Sequence, residues 1–264
     1  MTVTSFHYVV APSGVATITF SRPDTLNSLT FQVYRELTDL FAALQDDGAV
    51  KAVVLTGQGR AFCSGGDVNT IIGELLRYDA PQLLAFTRMT GELIANIRRL
   101  RKPVVAAVNG TAAGGGANLV LACDLVVMAE NARLIEVFVR RGIIPDAGAA
   151  YLLPRIVGLQ RAKEVLFLGD DLSAAECERW GIANRVVPAA ELATTAGDLA
   201  GRLAAGPSKA IAMTKWLVNR SSESGRHTAF EEEGYAQDLV AATADMAEGM
   251  TAFAERRDPQ FKGW

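Results

Sequence analysis

The chain has 264 residues, enough for one large domain or two modest ones and for burying roughly three quarters of its unfolded surface. Apolar residues make up 50% and charged residues 21%, which allows an ordinary globular core and excludes a disordered tail. Lys and Arg number 26 against 29 Asp and Glu, so the net charge of −3 argues against a general nucleic-acid binder, and no apolar run reaches the ~20 residues of a membrane span.

Met1 is followed by polar residues and a strand pattern with no signal-peptide core, and a soluble, cytoplasmic protein is expected. Phe6 to Val10 and Val15 to Phe20 are two β-rich runs joined by Ala11-Pro12-Ser13-Gly14, a predicted hairpin. After a polar loop from Arg22 to Asn27, residues Val33, Tyr34, Leu37, Leu40, Phe41 and Leu44 recur at helical spacing, and Asp46-Asp47-Gly48 closes that helix. Ala52 to Leu55, Pro103 to Val108 and Leu125 to Met128 are unbroken apolar runs too short for helices, and they read as buried parallel strands. A long helix is predicted from about Pro81 to Leu100. From about Ser173 the pattern is mainly helical, with a short extended piece at Arg185 to Pro188. Past Gly206-Pro207 only helices are legible: Lys209 to Val218, about Gly225 to Ala244, and Asp245 to Glu255. The alternation of strands and helices predicts an α/β fold with a largely parallel sheet. The expected division is 1–200 for the ligand-binding, catalytic part and 201–264 for a helical region too thin to own a core.

Cys63, Cys123 and Cys177 are far apart and form no C-x-x-C pair, so reduced thiols are expected, with neither a disulfide framework nor a zinc site. His7 and His227 lack a second ligand at helical spacing and no G-x-S-x-G elbow is present, which points away from metal or serine-triad chemistry.

Two glycine-rich runs carry the chemistry. Gly57 to Asp67 follows the strand ending at Leu55, and Asn109 to Gly116 follows the strand ending at Val108 and precedes the apolar helical segment Ala117 to Ala122. Glycine leaves backbone amides bare to an approaching ligand, and a helix N-terminus adds free donors with a partial positive charge. No Gly-Lys-Ser/Thr and no G-x-G-x-x-G after the first strand is present, so paired amides for one oxyanion fit better than a phosphate loop. Either run taken alone also reads as a tight structural turn.

At these residues the sequence resembles the crotonase superfamily, the enoyl-CoA hydratase/isomerase family. The resemblance rests on Arg22-Pro23-Asp24 with Leu26-Asn27-Ser28-Leu29, Ala61 to Val68, Lys102 to Gly116, Cys123-Asp124, Gly142 to Gly148, and Pro154 to Gly158, in family order over nearly the whole chain. It implies a spiral of ββα units, a C-terminal helical region that drives a homotrimer or a dimer of trimers, and an acyl-CoA thioester as ligand. Coenzyme A would enter as part of the substrate, with no metal or redox cofactor. By the same resemblance, the amides of Gly66 and Gly115 would hold the thioester oxygen.

The family's hydratases carry two glutamates, at positions that fall here on Asn118 and Phe138. Neither residue transfers protons as a carboxylate does, which counts against ordinary hydration. Asp146, after Gly142-Ile143-Ile144-Pro145, matches an aspartate that does the chemistry in some family members; as a plain residue it also reads as the N-cap of a helix containing Ala147 to Leu153. Its pKa is expected to rise among Phe138, Ile144 and Ala147. Glu136 is a secondary candidate base, Asn118 a secondary hydrogen-bonding group, and Asp67 a brace for its loop. For coenzyme A, the resemblance points to Arg22 near the nucleotide, Leu26 and Ser64 in its pocket, and Phe261-Lys262 reaching it from the tail, sometimes from a neighbouring subunit.

The leading expectation is an enoyl-CoA double-bond isomerase acting through a thioester enolate, since one base suffices to move a proton between two carbons. Its rivals are a hydratase, a hydrolase or dehalogenase-like enzyme with Asp146 as nucleophile, and an acyl-CoA-binding protein without activity.

Overall fold

A computed structural model describes residues 3–263. The hairpin forms as expected: β1 (Phe6–Val10) pairs antiparallel with β2 (Val15–Phe20), in a register that sets Phe6 opposite Phe20. Thr30 then caps α1 (Phe31–Ala43) by accepting from the Val33 N–H, and the apolar stripe read from the sequence is buried. The rest of the body repeats one unit: a long buried strand, a strand of three residues, then helix. In the first, β3 (Ala52–Gly57) and β4 (Ala61–Cys63) lead through a wound turn at Val68–Ile72 into α2 (Gly73–Leu75) and α3 (Ala80–Arg99). The second is β5 (Val104–Val108), β6 (Thr111–Ala113) and α4 (Gly115–Ala122). In the third, β7 (Leu125–Ala129) and β8 (Arg133–Ile135) precede α5 (Ala149–Val157) and α6 (Leu159–Leu168).

Each unit adds one strand to each of two sheets, which is how the chain winds into a spiral. The long strands give the order β1-β2-β3-β5-β7-β10, where β10 is Arg185–Val187 and all but β1 run parallel. The short strands give β4-β6-β8-β9, closed antiparallel by β9 (Asp171–Ser173). The α/β expectation and the three buried parallel strands hold. The four strands of the second sheet are absent from the sequence reading, because three residues are too few to show an alternation.

Beyond α7 (Ala174–Arg179), α8 (Leu192–Ala204) turns Ala196, Ala200 and Ala204 onto the main sheet, so the sheet-packed part runs a few residues past position 200. The tail then forms α9 (Ser208–Ser221), α10 (Arg226–Ala241) and α11 (Ala244–Glu255). As its composition suggests, it owns little core: α9 buries no residue fully and α10 only Ala236. It is tied down in part by Lys215 of α9, whose Nζ donates to the carbonyls of Ile97 and Lys102 and to the Asp124 carboxylate at 2.7 Å. No helix among the described residues is long and apolar enough to cross a membrane.

Candidate active site

The two glycine runs leave the same ends of adjacent strands, β3 and β5, and meet. Gly65 has φ +87°, in the left-handed region that glycine adopts without strain, and a Cβ there would lie 2.7 Å from the Ala113 carbonyl oxygen and 3.4 Å from the Gly115 nitrogen. Leu29 fastens the first run from below. Its N–H donates to the Gly65 carbonyl at 2.8 Å and its carbonyl accepts from the Asp67 N–H at 2.9 Å, a parallel bridge centred on Gly66. In a parallel bridge the neighbours of the central residue make the bonds, so the Gly66 N–H points away from Leu29. Gly115 opens α4, where the first amides have no intrahelical partner. The carbonyl of Ile135 takes the N–H of Gly114, fixing the approach to that helix.

Asp67 braces the first run. Its carboxylate caps the turn at Val68–Ile72 through the Asn69 and Thr70 N–H groups and also accepts from Ser28 Oγ at 2.8 Å and Arg22 Nη2 at 3.2 Å. Burial acts to raise its pKa, but the hydrogen bonds from Ser28, Thr70 and Arg22 prevail and hold it at about 2. Arg22 is thus engaged inside the loop, donating also to the Ser28 carbonyl at 2.8 Å. Leu26 and Ser64 stand beside it: the Leu26 carbonyl accepts from the Ser64 N–H, and Ser64 Oγ donates to the Thr25 carbonyl.

The structure sets Phe261 and Lys262 elsewhere. Their segment folds back on α11, where the Lys262 and Gly263 N–H groups donate to the buried Asp245 carboxylate at 2.6 and 2.8 Å. Gly263 lies by Ser208 and Lys51. Lys51 precedes β3 whereas the glycine run follows it, so within one chain the tail and the Arg22–Leu26–Ser64 cluster occupy opposite ends of the sheet.

Asp146 is half-buried at the entry to α5, and it is not the helix cap. Ala147 and Gly148 both have positive φ, +44° and +81°, so the helix begins only at Ala149 with Gly148 as its uncapped N-terminal neighbour. The Asp146 backbone carbonyl accepts from the Ala149 N–H and from Asn118 Nδ2, the latter at 3.1 Å, which ties this turn to α4. Burial raises the carboxyl pKa to about 6, against the pull of its own backbone N–H. Of the expected apolar neighbours, Phe138 and Ala147 are buried, but Ile144 is 84% exposed because the loop turns it outward.

Glu136 and Asn118 are both fully buried. Neither Glu136 oxygen has a hydrogen-bond partner, nor does Asn118 Oδ1. Burial and the nearby Asp146 charge push the Glu136 carboxyl up to about 8. Tyr34, which helical spacing marks only as core, brings a polar tip to the same place, because a Cβ on Gly115 would lie 2.6 Å from its hydroxyl. The two histidines lie apart from this cluster. His7 and His227 are exposed, the latter 3.6 Å from Glu231. All three cysteines are buried free thiols; burial pushes Cys63 and Cys177 up to about 12 and Cys123 upward as well.

A family model described as enoyl-CoA hydratase/isomerase matches residues 11–264. The chain belongs to the enoyl-CoA hydratase/isomerase family. It is 37% identical over 251 residues to 1,2-epoxyphenylacetyl-CoA isomerase of Escherichia coli (strain K12), covering 95% of each chain. It is 33% identical to the short-chain-enoyl-CoA hydratase of Clostridium acetobutylicum, covering 92% of each. A solved Streptomyces coelicolor A3(2) protein described as an enoyl-CoA hydratase superposes with a TM-score of 0.96 at 43% identity, over 100% of this chain and 96% of the other. Enoyl-CoA hydratase/isomerase membership accounts for the crotonase-type spiral and places the chain among enzymes that process acyl-CoA thioesters.

Proposed function

We propose that this family member is an enoyl-CoA double-bond isomerase, in which the Gly66 and Gly115 amides hold the thioester oxygen and the Asp146 carboxylate carries the proton. The observation that carries the reading is Asp146 itself, a carboxyl raised to about 6 by burial and tied through Asn118 to the helix that Gly115 opens. Ionised Asp146 takes a proton from the carbon next to the thioester. The electron pair moves into the carbonyl, giving a dienolate whose oxygen the two amides stabilise, each worth ~3 kcal/mol in comparable sites. The protonated Asp146 then returns the proton two carbons further on, and the double bond comes into conjugation. Asn118 and Phe138 stand where the family's hydratases carry glutamates, which favours a one-base reaction over ordinary hydration.

Arg22, Leu26 and Ser64 would receive the coenzyme A portion. Because Phe261 and Lys262 lie at the far end of the sheet, they would reach the coenzyme only from another copy, which fits assembly as a homotrimer or a dimer of trimers. A second reading, hydration of 2-enoyl-CoA, is favoured by Glu136, a second buried carboxyl within electrostatic reach of Asp146.

The test is to follow 3-enoyl-CoA by the ultraviolet absorbance of the conjugated product, with 2-enoyl-CoA and water as the parallel assay. Asp146→Asn should lower the isomerisation rate on the order of 10²–10⁴-fold. Equal rates in variant and wild type would overturn the proposed shuttle. Water addition faster than isomerisation would replace the first reading by the second.

A further inference from the structure

Tyr34 is a core position by spacing, yet its oxygen makes no hydrogen bond to any described residue. The residue is 4% exposed, and its ring is held edge-on to Phe86, with centroids 6.4 Å apart. The hydroxyl lies 2.6 Å from where a Cβ on Gly115 would stand, so it is within about 4 Å of the Gly115 Cα, one carbon–carbon bond further on. Burial raises this phenol well above its ordinary range, as do the nearby Asp146 and Cys63, and no hydrogen bond from a described residue offsets them. Unlike the Glu136 oxygens and Asn118 Oδ1, this hydroxyl is not sealed from solvent, so a ligand can reach it.

We infer that Tyr34 finds its partner in the substrate: its O–H is a third donor to the thioester oxygen, beside the amides of Gly66 and Gly115. This rests on the oxyanion site proposed above. The same contact gives position 115 its requirement for glycine, since any side chain there would displace the phenol. Asp146 is not the acceptor, for the hydroxyl makes no bond to its carboxylate in the structure. As the oxygen gains negative charge, a neutral donor aimed at it strengthens its bond, so the effect belongs to the enolate more than to the bound thioester.

Tyr34→Phe removes one oxygen and leaves the ring on Phe86, so the variant should unfold at or above the wild-type temperature. Its kcat on 3-enoyl-CoA should fall roughly tenfold or more, with KM changed by less than about twofold. A saturated acyl-CoA labelled with ¹³C at the thioester carbonyl supplies the readout that a structural role would leave alone. Binding to the wild type should move that resonance downfield, and the displacement should be smaller on the variant. Equal kcat and equal displacement would overturn the role of Tyr34 and leave the two-amide site standing. No displacement on the wild type would overturn the oxyanion site and this inference with it. Should Tyr34→Phe not fold, wild type labelled at tyrosine Cζ decides the matter: a Tyr34 resonance indifferent to the bound thioester refutes the contact.

Discussion

Half-buried Asp146 and fully buried Glu136 are a pair of carboxyls raised to about 6 and about 8. A proton shuttle must be ionised to accept the first proton, so kcat/KM for isomerisation should climb as pH rises through about 6. Ionising Glu136 near 8 sets a second negative charge beside a dienolate, so the rate should fall again above that point. A bell with limbs near 6 and 8 is the expected profile, and Glu136→Gln should abolish the upper limb while keeping the lower. These limbs belong to the pair as a unit. The same shifts govern stability. Both groups have folded pKa values above the ordinary 3.8 and 4.5, so their contribution is complete below about 4 and is lost as pH rises through 6 and then 8. The melting temperature of Glu136→Gln relative to wild type should therefore be more favourable at pH 8 than at pH 5. A constant difference between the two pH values would show that Glu136 does not titrate in this range.

At the scale of elements, α9 is joined to the body by the Asn219–Arg98 hydrogen bonds and by the Lys215–Asp124 pair, whose side chains are only 7% and 20% exposed. Lys215→Met would leave the Asp124 carboxylate buried without its cation, at a cost of about 3–5 kcal/mol in urea unfolding. Adding Asp124→Asn should recover most of the loss, and a double variant as unstable as the single one would contradict this. The elements also show what a sequence makes visible. The runs in β3, β5 and β7 are continuous and apolar because both faces of a parallel strand are covered, and they can be read without an alignment. Strands β4, β6 and β8 have three residues each, too few for a period of two, so their residues read as loop. The Asp146 turn was legible as a place but not as a conformation, because left-handed Ala147 has no sequence mark. Tyr34 passes for core because periodicity registers its ring and is blind to its hydroxyl. Arg22 reads equally as a coenzyme contact or a surface cap, and only the fold reveals its bonds to Asp67 and Ser28.

For the whole molecule, the C-terminal helices leave large apolar side chains in solvent, among them Phe230, Tyr235, Leu239, Met250 and Phe253, the last 83% exposed. So many large apolar side chains exposed on one short stretch of chain point to association. Light scattering should find three or six chains per particle, and Phe253→Asp should shift the distribution toward single chains. If the tail of one copy completes the coenzyme pocket of another, that variant should also bind coenzyme A more weakly while keeping its circular dichroism. A monomeric wild type would remove the assembly and the borrowed tail together.

The three protected thiols give this fold a set of internal clocks. Cys63 ends the strand that leads into the Gly65–Gly66 turn, Cys123 adjoins the Asp124 that holds α9, and Cys177 lies in α7. Since only a thiolate attacks an alkylating reagent and burial denies all three that form, each modification time records how often its own neighbourhood breathes open. Mass spectrometry of a timed alkylation would thus rank the Gly65–Gly66 loop, the α9 latch and the α7 edge by local opening, without introducing a probe.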